Sequence, residues 1–432
     1  MLAPAELYPL IDGWLQSLGL SHAVARAALG QLVTALLIGQ SLRPSALMRA
    51  LESPTAAPAR QRYKRVRRAW ARPWLAPAWL TPRLVRAVTT LVPRAGDGTL
   101  TLALDSVRCG GWELLTVGVV WHGRAVVVGW AALPYPWPKG RFTPTTCALL
   151  ERVGAAWPAD RPAHLVADRG FPSGALFRTL QRLGWGWTVR LSARTYLRID
   201  GRAERAGARL ETAVVGRWTT TPAAFGGVAG QLVVGRGLPV LAAHQRTVGS
   251  LRHRAAQQTK RRRHLATKHP QQAPDRTAAT DAWLLLFTTH ADPWAAGRAY
   301  TRRWAIEGAY RDAQGGWDGR HGWDLEPTVA RLATAAEVEA VAGLWALGAL
   351  LQIWVGHRLG HAPSPTRAVL AAWTTTGRLS VWARGRLALA DPSGRLRPWL
   401  VDTLRDGPRR LAQPASAPLP VTHPRATCAA AA

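Results

Sequence analysis

The chain has 432 residues, 48% of them hydrophobic, enough for a substantial core and two or three domains, so disorder throughout is excluded. Its formal net charge is +31, from 56 Lys and Arg against 25 Asp and Glu, with 52 arginines to four lysines. GC-rich coding sequence accounts for much of that ratio but not for the scarcity of acidic residues, and a balance of this sign makes nucleic acid the first candidate partner. Cys109, Cys147 and Cys428 form neither a paired metal-ligand motif nor a dense disulfide framework, as expected of a reducing cytoplasm. The N-terminus lacks a basic leader followed by an apolar run, so no secretory signal is expected. The most apolar stretch, Val338 to Val355, is interrupted by Glu339 and Gln352 and reads as a buried helix rather than a membrane span.

Residues 1–92 read as a helical DNA-binding domain, with a long apolar segment from Ser21 to Leu51. From Arg62 to Arg86 it carries eight basic residues and no acidic one, interleaved with Trp70, Trp74 and Trp79. Cations there can cross phosphate backbones while indoles pack the helices. A solvated basic face is the alternative. Leu100–Val107, Trp112–Trp121 and Arg124–Leu133 are β-branched runs separated by Gly-containing breaks, which predicts adjacent strands with short turns. A helix over Thr145–Ala156, a strand over His164–Ala167, a helix over Ser173–Leu183 and a strand over Trp185–Leu191 follow, so residues 98–192 predict an α/β layer with a mixed sheet.

Residues 193–280 interrupt that layer with 16 Lys and Arg against four Asp and Glu, predicted strands at Leu210–Trp218 and Gly230–Ala242, and the block Lys260, Arg261, Arg262, Arg263. This reads as a basic, mainly β insertion subdomain, or else as a long basic loop. The α/β layer resumes over 281–360, with the strand Trp283–Phe287 and helices over Pro293–Ala313 and Thr328–Leu359. Residues 361–402 are expected to be a helical segment with a helix over Pro365–Trp373, and 403–432, rich in Pro, Ala, Ser and Arg, a disordered tail.

Asp105 closes the run LTLALD and Asp168 the run HLVAD, while Glu307 lies in the amphipathic segment YTRRWAIEGAYRD. Strand ends fix a carboxylate where buried backbone meets solvent, and three oxygen donors from three elements suit a pair of Mg²⁺ ions, with Mn²⁺ a substitute. Each residue alone has an ordinary reading, as a turn or cap residue or as half of a surface ion pair. Composition and spacing leave that choice open.

The segment from Tyr300 through Arg303 to Glu307 resembles the Tyr-x-x-Arg-x-x-x-Glu signature of the IS4-like DDE transposases, and Asp168-Arg169-Gly170-Phe171 resembles the segment bearing their second aspartate. Asp105 matches the first. The resemblance covers roughly residues 98–355 and departs at Gln314, where the family has Lys; Arg311 or Arg320 would have to supply that charge. It implies an α/β, RNase H-like catalytic core with a mainly β insertion and a helical N-terminal domain. It also implies metal-dependent cleavage and strand transfer by Asp105, Asp168 and Glu307, on the terminal inverted repeats of an insertion sequence and on target DNA. Binding to double-stranded DNA, a homodimer in the synaptic complex and a place in the bacterial cytoplasm, at the nucleoid when bound, follow from the same resemblance. Tyr300, Arg303 and Gln314 would contact DNA near the cleaved end; in relatives that form hairpins an aromatic residue of the insertion receives a flipped base, and Trp218 is the candidate for that role here. A metal-dependent nuclease without strand transfer, and a decayed DNA-binding protein, remain as alternative readings. The Arg-rich face around Glu307 is also compatible with a dimer interface.

Overall fold

A computed structural model describes residues 3–51, 58–94, 96–236, 283–314, 322–363, 366–367, 380–391 and 394–412. The block Lys260 to Arg263, nearly all of the helix expected over Pro365–Trp373, and residues 413–432 lie outside the described residues. The N-terminal part is helical: α1 Pro4–Ser17, α2 Ala23–Gly39, α3 Pro44–Ala50, α4 Ala59–Trp70 and α5 Pro77–Leu91. The apolar run from Ser21 to Leu51 is two helices bent by 97° rather than one. Gln40 caps α2 in the left-handed conformation and Pro44 opens α3, and both choices turn the chain.

Three antiparallel strands follow, β1 Leu100–Cys109, β2 Trp112–Trp121 and β3 Arg124–Pro134. After α6 Phe142–Ala155 comes β4 Ala163–Ala167, parallel to β1; after α7 Gly174–Arg182 comes β5 Gly186–Arg190, parallel to β4. A methyl placed at Gly129 would meet Val153 and Leu149 of α6, while the neighbouring Trp130 donates its indole N–H to the Glu339 carbonyl at 2.8 Å. Successive strand residues point to opposite faces, so β3 is covered on both. This explains why these strands are nearly continuous apolar runs rather than alternating ones. The order β3-β2-β1-β4-β5, flanked by helices, is an RNase H-like architecture.

The inserted segment does not build a separate sheet. Its strands β6 Tyr196–Ile199, β7 Arg202–Arg205, β8 Trp218–Phe225 and β9 Val228–Arg236 continue the central sheet through β10 Trp283–Thr288, which pairs with both β5 and β9. The order across ten strands is β3-β2-β1-β4-β5-β10-β9-β8-β6-β7. The strand expected over Leu210–Trp218 is instead a short helix α8, Ala208–Glu211, and a turn. Val214 and Val215, whose branching suggests a strand, are both more than half exposed there, and Gly216 has φ +80°.

The helix expected over Pro293–Ala313 is broken into α9 Pro293–Thr301 and α10 Trp304–Gln314. Then come α11 Leu325–Val329, α12 Ala335–Gly360, α13 Val381–Ala390 and α14 Arg397–Ala412. Thr334 and Glu337 cap α12 reciprocally, the Thr hydroxyl accepting from Glu337 N–H and the Glu carboxylate from Ala333 N–H. By length and composition α12 is able to cross a membrane, but almost all of its apolar stretch is buried inside this fold. The tail expected to begin at 403 is helical as far as Ala412. Leu400, Leu404 and Leu411 recur at helical spacing and are buried, and Trp14 donates its indole N–H to the Leu404 carbonyl at 2.9 Å.

The crossing of α12 and α13 depends on two glycines. A methyl at Gly385 would overlap the Gln352 carbonyl, and one at Gly356 the Val381 carbonyl. Gly385→Ala is expected to cost about 3 kcal/mol, as overpacking against backbone does, in urea unfolding; a cost near zero would show the two helices free to separate.

Candidate active site

The sheet register sets the first two carboxylates side by side. Leu104 and Ala167 are the last registered pair of the parallel β1–β4 ladder, so Asp105 and Asp168 come next on adjacent strands. Asp105 does not close β1, as the sequence suggests; the strand runs on to Cys109 because β2 continues to pair with it, with Thr116 opposite Asp105. Val189 is registered with Ala167, and Arg190, one residue on, lies 3.8 Å from Asp168. Sequence reading missed Arg190, although the parallel register of two short strands was enough to find it.

The third carboxylate arrives through the break between α9 and α10. Tight bonds from Arg303 N–H to the Tyr300 carbonyl and from Ile306 N–H to the Arg303 carbonyl carry the chain through this turn. The turn delivers Tyr300, Arg303 and Glu307 to one place. Arg303 is 3% exposed and donates to Asp105 Oδ2 at 3.2 Å and to Glu307 Oε1 at 2.6 Å. The Tyr300 hydroxyl donates to Asp168 Oδ1 at 3.2 Å. Arg303 therefore bridges Asp105 of β1 and Glu307 of α10, while Asp168, at the end of β4, is held by Tyr300 and Arg190 and feels the Arg303 charge. The guanidinium plane is lined by the rings of Trp304 and Tyr300, 4.9 and 5.7 Å away.

These neighbours set the charges. Burial pushes the Asp105 carboxyl up to about 6 against the pull of Arg303 and the Ser106 N–H, and the charges of Glu307 and Asp168 add to the rise. Burial also works on Asp168, but Arg303, the Arg169 N–H, Arg190 and Tyr300 together hold it below its ordinary value. Burial disfavours the Arg303 charge, yet the surrounding Tyr300, Glu307, Asp105 and Asp168 keep it firmly protonated. Burial raises the Tyr300 phenol to about 12, so its hydroxyl remains a donor. Behind Asp105, Tyr310 and Thr116 share a buried 2.5 Å hydrogen bond that seats α10 on the sheet.

The other expected contacts are distributed differently. Tyr300 and Arg303 face carboxylates rather than solvent, so a phosphate could meet either only by drawing it from these partners. Gln314 ends α10 half-buried, seven residues beyond Glu307. Trp218 is packed against Gly297 of α9 and edge-on to Trp294, which is 53% exposed. A cleft of about 540 Å³ opens beside α10 at the start of β1, lined by Thr101, Arg124, Arg302 and Arg311 among others, and the three carboxylates do not border it. In the N-terminal part, α4 is anchored by buried Val66 and Trp70, while Arg60, Lys64, Arg65 and Arg68 are exposed. Arg67 on the same helix pairs with Glu337 at 2.6 Å.

Arg303→Met leaves Asp105 and Glu307 without their shared cation and should destabilise the fold by about 3 to 5 kcal/mol. The deficit should be larger at pH 8 than at pH 5. Removing the guanidinium raises the folded carboxyl pKa values, and a raised value contributes stability below the unfolded pKa that is lost as pH rises through the folded one. Urea unfolding at the two pH values checks this, and an equal deficit at both would contradict it.

Residues 143–321 match the family model for the transposase DDE domain. The match contains Asp168 and Glu307, whereas Asp105 lies upstream of it, set beside Asp168 by the β1–β4 pairing and linked to Glu307 through Arg303. No curated protein matches the chain. Residues 143–321, set in an RNase H-like fold that also brings in Asp105, are similar to the DDE domain of the IS4-like transposases.

Proposed function

We propose that this chain is the DNA transposase of an insertion sequence. It binds the terminal inverted repeats of its element, cuts there, and joins the freed 3′ hydroxyl to target DNA. The match to the transposase DDE domain supports a transposase-like activity in general. The observation that supports the finer reading is that the buried Arg303 bridges Asp105 and Glu307 while Asp168, on the strand beside Asp105, lies within reach of its charge.

The donor set suits Mg²⁺ or Mn²⁺, because carboxylate oxygens are the ligands these hard cations prefer. The site already concentrates enough negative charge to hold a buried guanidinium above its ordinary pKa, and Arg303 Nε is itself buried without a hydrogen-bond partner among the described residues. A bound metal pair would activate the attacking oxygen and stabilise the leaving one. Asp105 and Asp168, fixed by adjacent strands, would be the principal ligands, and Glu307 would complete the set from α10. Asp105 must shed its proton to ligate, so its raised pKa ties loading to pH. Arg303, relieved of part of its carboxylate charge on loading, has the planar fork that suits a phosphate of the DNA end. Tyr300 holds and orients Asp168 through its hydroxyl. The exposed cations of α4 would cross the backbone of the inverted repeat, and two copies of the chain would be needed to bring two ends together.

A gel assay of the full chain on DNA bearing the element's own end, with a target plasmid and Mg²⁺ or Mn²⁺, tests this beside Glu307→Gln. Metal-dependent cleavage and joined products, both absent from the variant, are expected. Cleavage without joining would replace the proposal with a nuclease, and end binding without either product would mark a catalytically decayed DNA-binding protein.

A further inference from the structure

We infer that His122, His357 and His361 form a second metal site, for a borderline transition ion such as Zn²⁺, Ni²⁺ or Cu²⁺, which ties the β2–β3 hairpin to the end of α12. One candidate ligand atom from each ring lies within 4.8 Å of the other two. His357 lies in the last turn of α12 and His361, four residues on, caps its end, a spacing that sets the two imidazoles on one side of the helix end. His122 comes from a different element, the two-residue turn it forms with Gly123 between β2 and β3. Both turn residues have positive φ, 49° and 73°, a geometry in which Asn-Gly or Asp-Gly is the usual pair. A histidine at the turn's first position presents an imidazole to the helix.

Packing alone does not explain the cluster. The His122 and His357 rings are 4.7 Å apart and the His357 and His361 rings 4.9 Å apart. Neutral imidazoles gain little from meeting in this way, and His357 Nδ1 is buried with no hydrogen-bond partner among the described residues. Such an atom carries a desolvation cost that ligation removes.

The chemistry of the set selects the ion. Three nitrogen donors with no carboxylate among them suit Zn²⁺, Ni²⁺ or Cu²⁺ and not Mg²⁺. The nearby cation Arg384, on α13 against Gly360, disfavours an ion held by charge alone, while Arg358 is engaged with Asp406 at 3.2 Å. Three protein ligands leave a fourth position for water or an outside donor. The site is distinct from the carboxylates: Thr116 faces Asp105, and His122, in the turn just past β2, lies six residues further along, about 20 Å at strand rise. Its role would be to fasten the far end of the catalytic sheet to the helices that follow it.

The test uses the full chain without a polyhistidine tag, stripped with chelator and titrated with ZnCl₂ by calorimetry and with Co²⁺ by its visible absorption. Saturable binding of one ion per chain at micromolar metal is expected, with a rise in thermal midpoint. His361→Ala, at an exposed position, and His122→Asn, which keeps a residue suited to the turn, should each abolish it, whereas Asp105→Asn and Glu307→Gln should leave it intact. Absence of saturable binding, binding that survives both histidine variants, or binding lost in the carboxylate variants instead would overturn the inference.

Discussion

The architecture of the candidate site turns on a buried cation. Three carboxylates cannot be brought to one edge of an apolar sheet unless something offsets their mutual repulsion and their desolvation, and Arg303 does so from within. The constraint reaches well beyond the contacts themselves. It coincides with the break between α9 and α10, the segment that carries Tyr300, Arg303 and Glu307. It also accounts for the way α10 is seated, with Tyr310 bonded to Thr116 directly behind Asp105. A site balanced by an internal cation is held ready, because whatever takes over the carboxylate charge also releases a guanidinium.

The sheet supplies the other half of the positioning. Parallel pairing of β1, β4 and β5 turns three positions that are distant in sequence, Asp105, Asp168 and Arg190, into neighbours one residue beyond the ladder. The inserted strands extend this frame rather than standing apart from it. β10, the strand that leads into α9, is paired on one side with β5 and on the other with β9. The helix bearing Glu307 is thus anchored to the insertion and the core together, and Trp218 packs on α9 from the insertion side. An insertion arranged in this way can influence the helix bearing Glu307 without touching the carboxylates.

Much of this was legible in the sequence because the relevant signals are local. The strands through Leu102, Val117 and Val127 announce themselves by β-branching and by glycine breaks, and the order of Asp105, Asp168 and Glu307 carries the family resemblance. The features that escaped are those set by tertiary contacts. The break at Arg302 and Arg303 has no proline or glycine to mark it. Val214 and Val215 look like strand residues but stay exposed, since no neighbouring strand pairs with them. The final helix was hidden by Pro and Arg composition, although Leu404 and Leu411 keep helical spacing. His122 is more than 230 positions from His357 in the chain, and only the hairpin's packing against α12 brings them together.

The most direct test of the central claim, that Asp105, Asp168 and Glu307 are one site, is Mn²⁺ binding followed by electron paramagnetic resonance. It would compare the intact chain, each single carboxylate-to-amide variant, and the intact chain at pH 5 and pH 8. The account predicts that each substitution weakens binding and that the intact chain binds more weakly at pH 5, where Asp105 is protonated. Unchanged affinity in the three variants, with no loss at low pH, would contradict it.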